Sequence, residues 1–144
     1  MKRVACVLLL LCLIPVCAFA IDIDEFNAFA SVLGASELNM EESKTSGIHT
    51  GFMKDDCKIY FDEIDGKLDG IYVDGQGDSF LAYCCAALHL FDPDGQTSIN
   101  HGQLLTMYLM AHKTDNYQTG QTQNGYYFFM EKQDGGFFFM IGEQ

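Results

Sequence analysis

Cys85 and His89 stand four residues apart in a stretch, Phe80 to Phe91, that is apolar at every position except His89 itself. On a helix this spacing brings thiol and imidazole to one face, where they could form an ion pair for nucleophilic catalysis or hold one metal ion. A nucleophilic cysteine also needs surroundings that stabilise a thiolate, and an apolar helix instead raises the thiol pKa. Cys85 therefore reads as a core residue and His89 as a histidine at the core boundary. The alternative is a small thiol-dependent enzyme or hydrolase using Cys85 and His89. His101 and His112 are eleven residues apart on or near the next predicted helix, about 16 Å at a rise of 1.5 Å per residue. They share a face but cannot bind the same ion on an unbroken helix.

The acidic residues Asp62, Glu63, Asp65, Asp69, Asp74 and Asp78 invite a calcium reading, with Asp65, Lys67, Asp69 and Gly70 on the spacing of an EF-hand loop. Lys67 occupies a ligand position, Gln76 stands where the bidentate glutamate belongs, and the segment reads as a hairpin with no helix before it. Gly75 and Gly77 ahead of a helix lack the third glycine or the lysine of a phosphate loop, and Asp74 and Asp78 would repel an anion. No cofactor site, metal site or complete set of nucleophile, base and orienting group follows from these residues. Tyr60, Tyr72, Tyr117, Tyr126 and Tyr127 could form an aromatic binding surface, although sheet propensity explains them equally well.

The elements that must position these residues follow from pattern and punctuation. Phe26, Phe29, Ala30 and Leu33 lie at i, i+3, i+4 and i+7, which predicts a helix over 24–33 with Asp24 as its cap and Gly34 at its end. Residues 35–47 are small and polar, with room for one short helical turn. Residues 57–64 and 67–74 alternate around Asp65 and Gly66, a hairpin with a type I′ turn, and 48–53 could add a strand beside it. The helix ending at Phe91 has no polar face, so it belongs in the middle of the domain, against a sheet on one side and helices on another. A further helix is predicted from Thr97 or Ser98 to His112 or Lys113, and 114–123 reads as a polar loop or edge strand. Residues 126–130 and 137–141 flank Asp134, Gly135 and Gly136 as a second hairpin. Both its faces are apolar, which predicts a place in the sheet interior or under covering helices. The expected fold is α+β, an antiparallel sheet of two hairpins with helices packed on it.

At the N-terminus, Lys2 and Arg3 precede the apolar run from Val4 to Val16, and Ala18, Phe19 and Ala20 supply a cleavage motif, so residues 1–20 read as a secretory signal peptide. The run is shorter than the roughly 20 residues that span a bilayer comfortably. A single α+β domain over 21–144 is then the mature protein, exported: secreted, or periplasmic if the source has an outer membrane. It carries six lysines, no arginine and 20 carboxylates, a formal charge of −14 against −12 for the whole chain. Such a field repels nucleic acid and anionic lipid, and leaves no membrane attachment once the signal is cleaved. Three cysteines remain, Cys57, Cys84 and Cys85. Adjacent helical cysteines point about 100° apart, so at most one can face Cys57; the expectation is one intramolecular disulfide or none, with at least one buried thiol.

The element order, helix, two or three strands, two helices, two strands, is similar to that of the type III secretion chaperone-like fold, a family of small acidic dimers that bind other proteins. A cleaved signal departs from that cytoplasmic family. The functional expectation is an exported, small, acidic binding or interaction module without catalysis; its ligand is left open, with another protein as the candidate partner, and so is its oligomeric state.

Overall fold

The computed structural model describes residues 21–114 and 116–143. The expected signal peptide, residues 1–20, lies outside them. Helix α1 (Ile23–Val32) starts at Asp22, whose carboxylate accepts the Glu25 N–H at 2.9 Å. Asp22 is therefore the cap, and Asp24 already lies in the first turn. Gly34, at φ 92°, ends the helix in a backbone conformation that costs glycine little. A 3-10 turn at Met40–Glu42 leads into β1 (Lys44–Ser46), followed by β2 (His49–Lys54), β3 (Cys57–Ile64) and β4 (Lys67–Gly75). The β3–β4 turn holds Asp65 and Gly66 at φ 51° and 73°, as the Asp-Gly dipeptide requires. Helices α2 (Gly77–Phe91) and α3 (Thr97–Thr114) follow, then β5 (Gln118–Gln121), β6 (Tyr127–Gln133) and β7 (Gly136–Gly142).

The seven strands form one antiparallel sheet in the order β1-β2-β3-β4-β7-β6-β5. The fold is α+β, as expected, but the sheet is larger than two hairpins. Its extra members include the edge strands β1 and β5, of three and four residues, whose polar sequences carry no hydrophobic alternation. Backbone pairing alone recruits them, and short polar edges discourage pairing with another chain. After β4 the chain passes through both long helices, returns at the far edge as β5, and winds back until β7 lies beside β4.

All the long helices cover the same face of this sheet. α2 packs against α1, α3, β3, β4 and β7, which is what a helix without a polar face demands. Its small side chains Ala82, Cys84, Cys85, Ala86 and Ala87 are all buried. On α3 only Asn100, Leu104, Met107 and Ala111 are buried, while Leu105, Leu109 and Met110 face solvent. No helix among the described residues is long and apolar enough to cross a membrane. Cys57, Cys84 and Cys85 are three buried, unbridged thiols, so the disulfide-free version of the cysteine expectation describes this structure.

Polar ties lock the layers together. Asp55, in a left-handed turn between β2 and β3, accepts from the Ser36 N–H at 2.7 Å, the Ser36 hydroxyl at 2.8 Å and the Tyr83 hydroxyl at 3.0 Å. At the other end, Asp92 accepts from Asn100 and Asn124 and joins the α2–α3 loop to the β5–β6 turn.

Candidate functional site: the uncovered face of the sheet

Cross-strand register determines which side chains share a face. The rows Thr50, Phe61, Ile71, Ile141, Phe128 and Phe52, Ile59, Val73, Phe139, Met130 point under the helices and are buried. The alternate rows point the other way: Gly51, Tyr60, Tyr72, Met140, Phe129, Thr119, flanked on one side by His49, Asp62, Gly70, Gly142, Tyr127 and on the other by Met53, Lys58, Asp74, Phe138, Glu131. None of the helices lies over these rows. The β6–β7 hairpin, expected in the sheet interior or under covering helices, lies in the sheet interior with helices over one of its faces. Its outward Phe129, Phe138 and Met140 are only partly buried, by neighbours on the sheet itself.

The outward aromatic residues are in contact. Tyr72 and Phe138 have ring centroids 6.2 Å apart, Phe138 and Phe129 6.1 Å, and Phe129 and Tyr117 5.8 Å, a continuous chain from β4 to the β5 edge. Tyr60, Tyr117 and Tyr127 are 40%, 64% and 47% exposed. Of the five tyrosines singled out from the sequence, Tyr60, Tyr72, Tyr117 and Tyr127 thus share this side, whereas Tyr126 packs on Phe91 at the core.

Two glycines leave room for these rings. A Cβ at Gly51 would come within 2.7 Å of the Tyr60 ring, and one at Gly70 within 3.3 Å of the Tyr72 ring and hydroxyl. Each tyrosine therefore covers bare backbone on the neighbouring strand or its own strand, an aromatic filling the gap a glycine leaves. Between them opens a shallow depression of about 410 Å³ lined by Ser46, His49, Tyr60, Tyr72 and Phe138.

At the edge of this depression His49 Nδ1 lies 2.5 Å from Asp62 Oδ1, with Asp62 4% exposed and the His49 side chain 56% exposed. Asp62 also accepts a hydrogen bond from the Tyr72 hydroxyl; burial, then the Asp62 charge and that bond, push the Tyr72 phenol up. An ionised carboxylate only accepts, so in this bond the His49 Nδ1 carries the hydrogen. Ser46 is the cross-strand partner of His49. His49 and Asp62 are a pair that sequence reading missed, because only the β2–β3 register makes them neighbours.

Cys85 and His89 lie elsewhere, on the helical side. Burial pushes the Cys85 thiol up to about 12, against the thiolate a nucleophile requires. His89 stacks on Phe29 at 4.4 Å and directs Nε2 towards Glu25, 3.4 Å away. His101 meets the edge of the same Phe29 ring and donates to the Cys85 carbonyl. His112 is three turns away, against Tyr108 and Phe137, so the two α3 histidines serve separate contacts. Among the described residues no three His, Cys, Asp or Glu side chains converge on a possible metal position.

Titration of groups whose pKa the fold shifts makes stability depend on pH. Burial holds His101 below its usual value, opposed by its bond to Cys85 and aided by the charge of His89. The unfolded chain then takes up the proton first, so stability is complete above about pH 6.5 and declines as pH falls through that value. A second loss follows below about pH 4. The Ser36 bonds hold Asp55 below the carboxylate range, and at Asp92 the bonds from Asn124, Asn100 and Thr122 outweigh a burial effect of opposite sign. Urea midpoints at pH 7.5, 6.0 and 5.0 are expected to fall in order, and His101→Gln to flatten that decline. A midpoint constant over this range in the unsubstituted protein would contradict the assignment.

No protein-family model, curated protein or solved structure matches the chain.

Proposed function

We propose that the protein is an exported binding module that docks another protein on the uncovered face of its sheet and performs no catalysis. The observation that carries this reading is the aromatic chain from Tyr72 through Phe138 and Phe129 to Tyr117, laid out on a side that no helix covers. Rigid rings with large contact area and polar tips are the groups that supply binding energy at protein interfaces. Contiguous apolar surface of this kind on a soluble domain marks an interaction site. Export rests on Lys2, Arg3, the apolar run after them and the Ala18 to Ala20 motif. The negative field of residues 21–144 argues against nucleic acid as the partner.

The test compares the protein with a Phe129→Thr, Phe138→Thr variant as baits for proteins in the compartment to which it is exported. Threonine keeps strand propensity while removing most of the contact area. The variant is expected to melt cooperatively and to lose the partner that the unsubstituted protein retains. Retention of the same proteins by both baits would place docking elsewhere on the molecule.

A further inference from the structure

Building on that docking reading, we propose that the face takes an arginine-bearing segment of a basic protein, with one guanidinium seated in the depression over Tyr60, Tyr72 and Phe138. Tyr60, Tyr72 and Phe138 together line the depression, so three aromatic rings are grouped around one shallow seat. A ring face carries the negative part of the aromatic quadrupole and attracts a cation. An occupant suited to an aromatic depression on an acidic protein is flat and positively charged. Guanidinium meets both requirements, because it can stack on a ring while its in-plane N–H groups remain free, whereas an ammonium is a compact, strongly hydrated charge.

Charge selects the same class of partner. Residues 21–144 carry a formal −14 with no arginine, a field that draws in a cationic chain and opposes a second copy of this one. On the outward rows Asp62, Asp74 and Glu131 outnumber Lys44 and Lys58, and Lys58 is drawn to Asp74 at 3.8 Å. Docking of a basic segment thus brings opposite charges together around an aromatic centre, the arrangement that gives both fast encounter and orientation.

The decisive experiment measures binding of capped, fluorescently labelled hexa-arginine and hexa-lysine peptides to the purified protein at 150 mM salt. Hexa-arginine is expected to bind about tenfold more tightly than hexa-lysine. A Tyr60→Leu, Phe138→Leu variant, which keeps charge and apolarity but loses both rings, is expected to abolish that preference. Aromatic NMR signals of Tyr60, Tyr72 and Phe138 in the unsubstituted protein should shift with hexa-arginine, a reading independent of whether the variant folds. Equal affinities for the two peptides, or shifts confined to other parts of the molecule, would overturn the proposal. If the Phe129→Thr, Phe138→Thr bait still loses a captured partner while arginine shows no preference, only the arginine assignment fails; if the baits also behave alike, the docking reading fails with it.

Discussion

A chain ending at Gln123 is expected to show no cooperative unfolding transition and to associate. Strand β7 is not a tail: it pairs with β4 from Gly70↔Gly142 to Gly75↔Phe137 and with β6 on its other side. The hairpin contributes Phe128, Met130, Phe137, Phe139 and Ile141 to the core, each 4% exposed or less. Burial of each such side chain is worth roughly 1.5–3 kcal/mol, so five of them rival a typical total stability of about 5–15 kcal/mol. Their removal also strips β4 of its neighbour and leaves an apolar edge open to pairing between chains. Circular dichroism during heating, together with size-exclusion chromatography, checks both parts. A soluble monomer with a sharp melt would contradict this account. The single substitution Phe139→Ala tests the same packing with the chain intact and is expected to cost about 3–5 kcal/mol.

Asp92→Ala is expected to have the largest effect of any polar substitution, a loss of about 3 kcal/mol. Asp92 is 2% exposed at the end of α2. Its Oδ2 accepts from Asn100 Nδ2 at 3.1 Å and the Asn124 N–H at 3.2 Å, and its Oδ1 from Asn124 Nδ2 at 2.6 Å. Asn100, also buried, in turn accepts the Gln123 N–H at 2.9 Å. Truncation to alanine leaves those donors without the acceptor around which they are arranged, and unpaired buried donors cost more than the bonds contributed net. Asp92→Asn keeps one acceptor oxygen and is expected to fall between alanine and the native residue. Urea denaturation with unchanged slope and a lowered midpoint is the expected result; an unchanged midpoint for Asp92→Ala would show that the β5–β6 turn is held without it.

Much of the chain's local architecture is legible from neighbouring residues. The Asp65–Gly66 turn flanked by alternating strands and the polar-faceless helix through Phe91 appear in the structure within a few residues of their expected positions. Differences arise where local signals are weak. Strand β1 has no apolar period to betray it, and β5 is legible only as a polar loop or edge strand, since edge strands are recruited by backbone hydrogen bonds. Leu105, Leu109 and Met110 are as apolar as Leu104, yet only the last faces the core.

The candidate site was half legible for the same reason. Tyrosine content pointed to an aromatic surface, and four of the five tyrosines lie on it, but Phe129, Phe138 and Met140 looked like core because both faces of their hairpin are apolar. Composition cannot say which of two apolar faces is covered. That depends on which side of the sheet receives the α2–α3 pair after β4, and here both helices pack on one side. His49 and Asp62, 13 residues apart, become a pair only through the register of β2 against β3. By itself, then, the sequence determined the turns, the helices and the acidic charge, because backbone sterics, short-range periodicity and ionisable groups act locally or add without regard to fold. Tertiary structure alone decided which apolar face stays uncovered and which polar groups meet on it, because layer packing and strand register join residues that share no local physics.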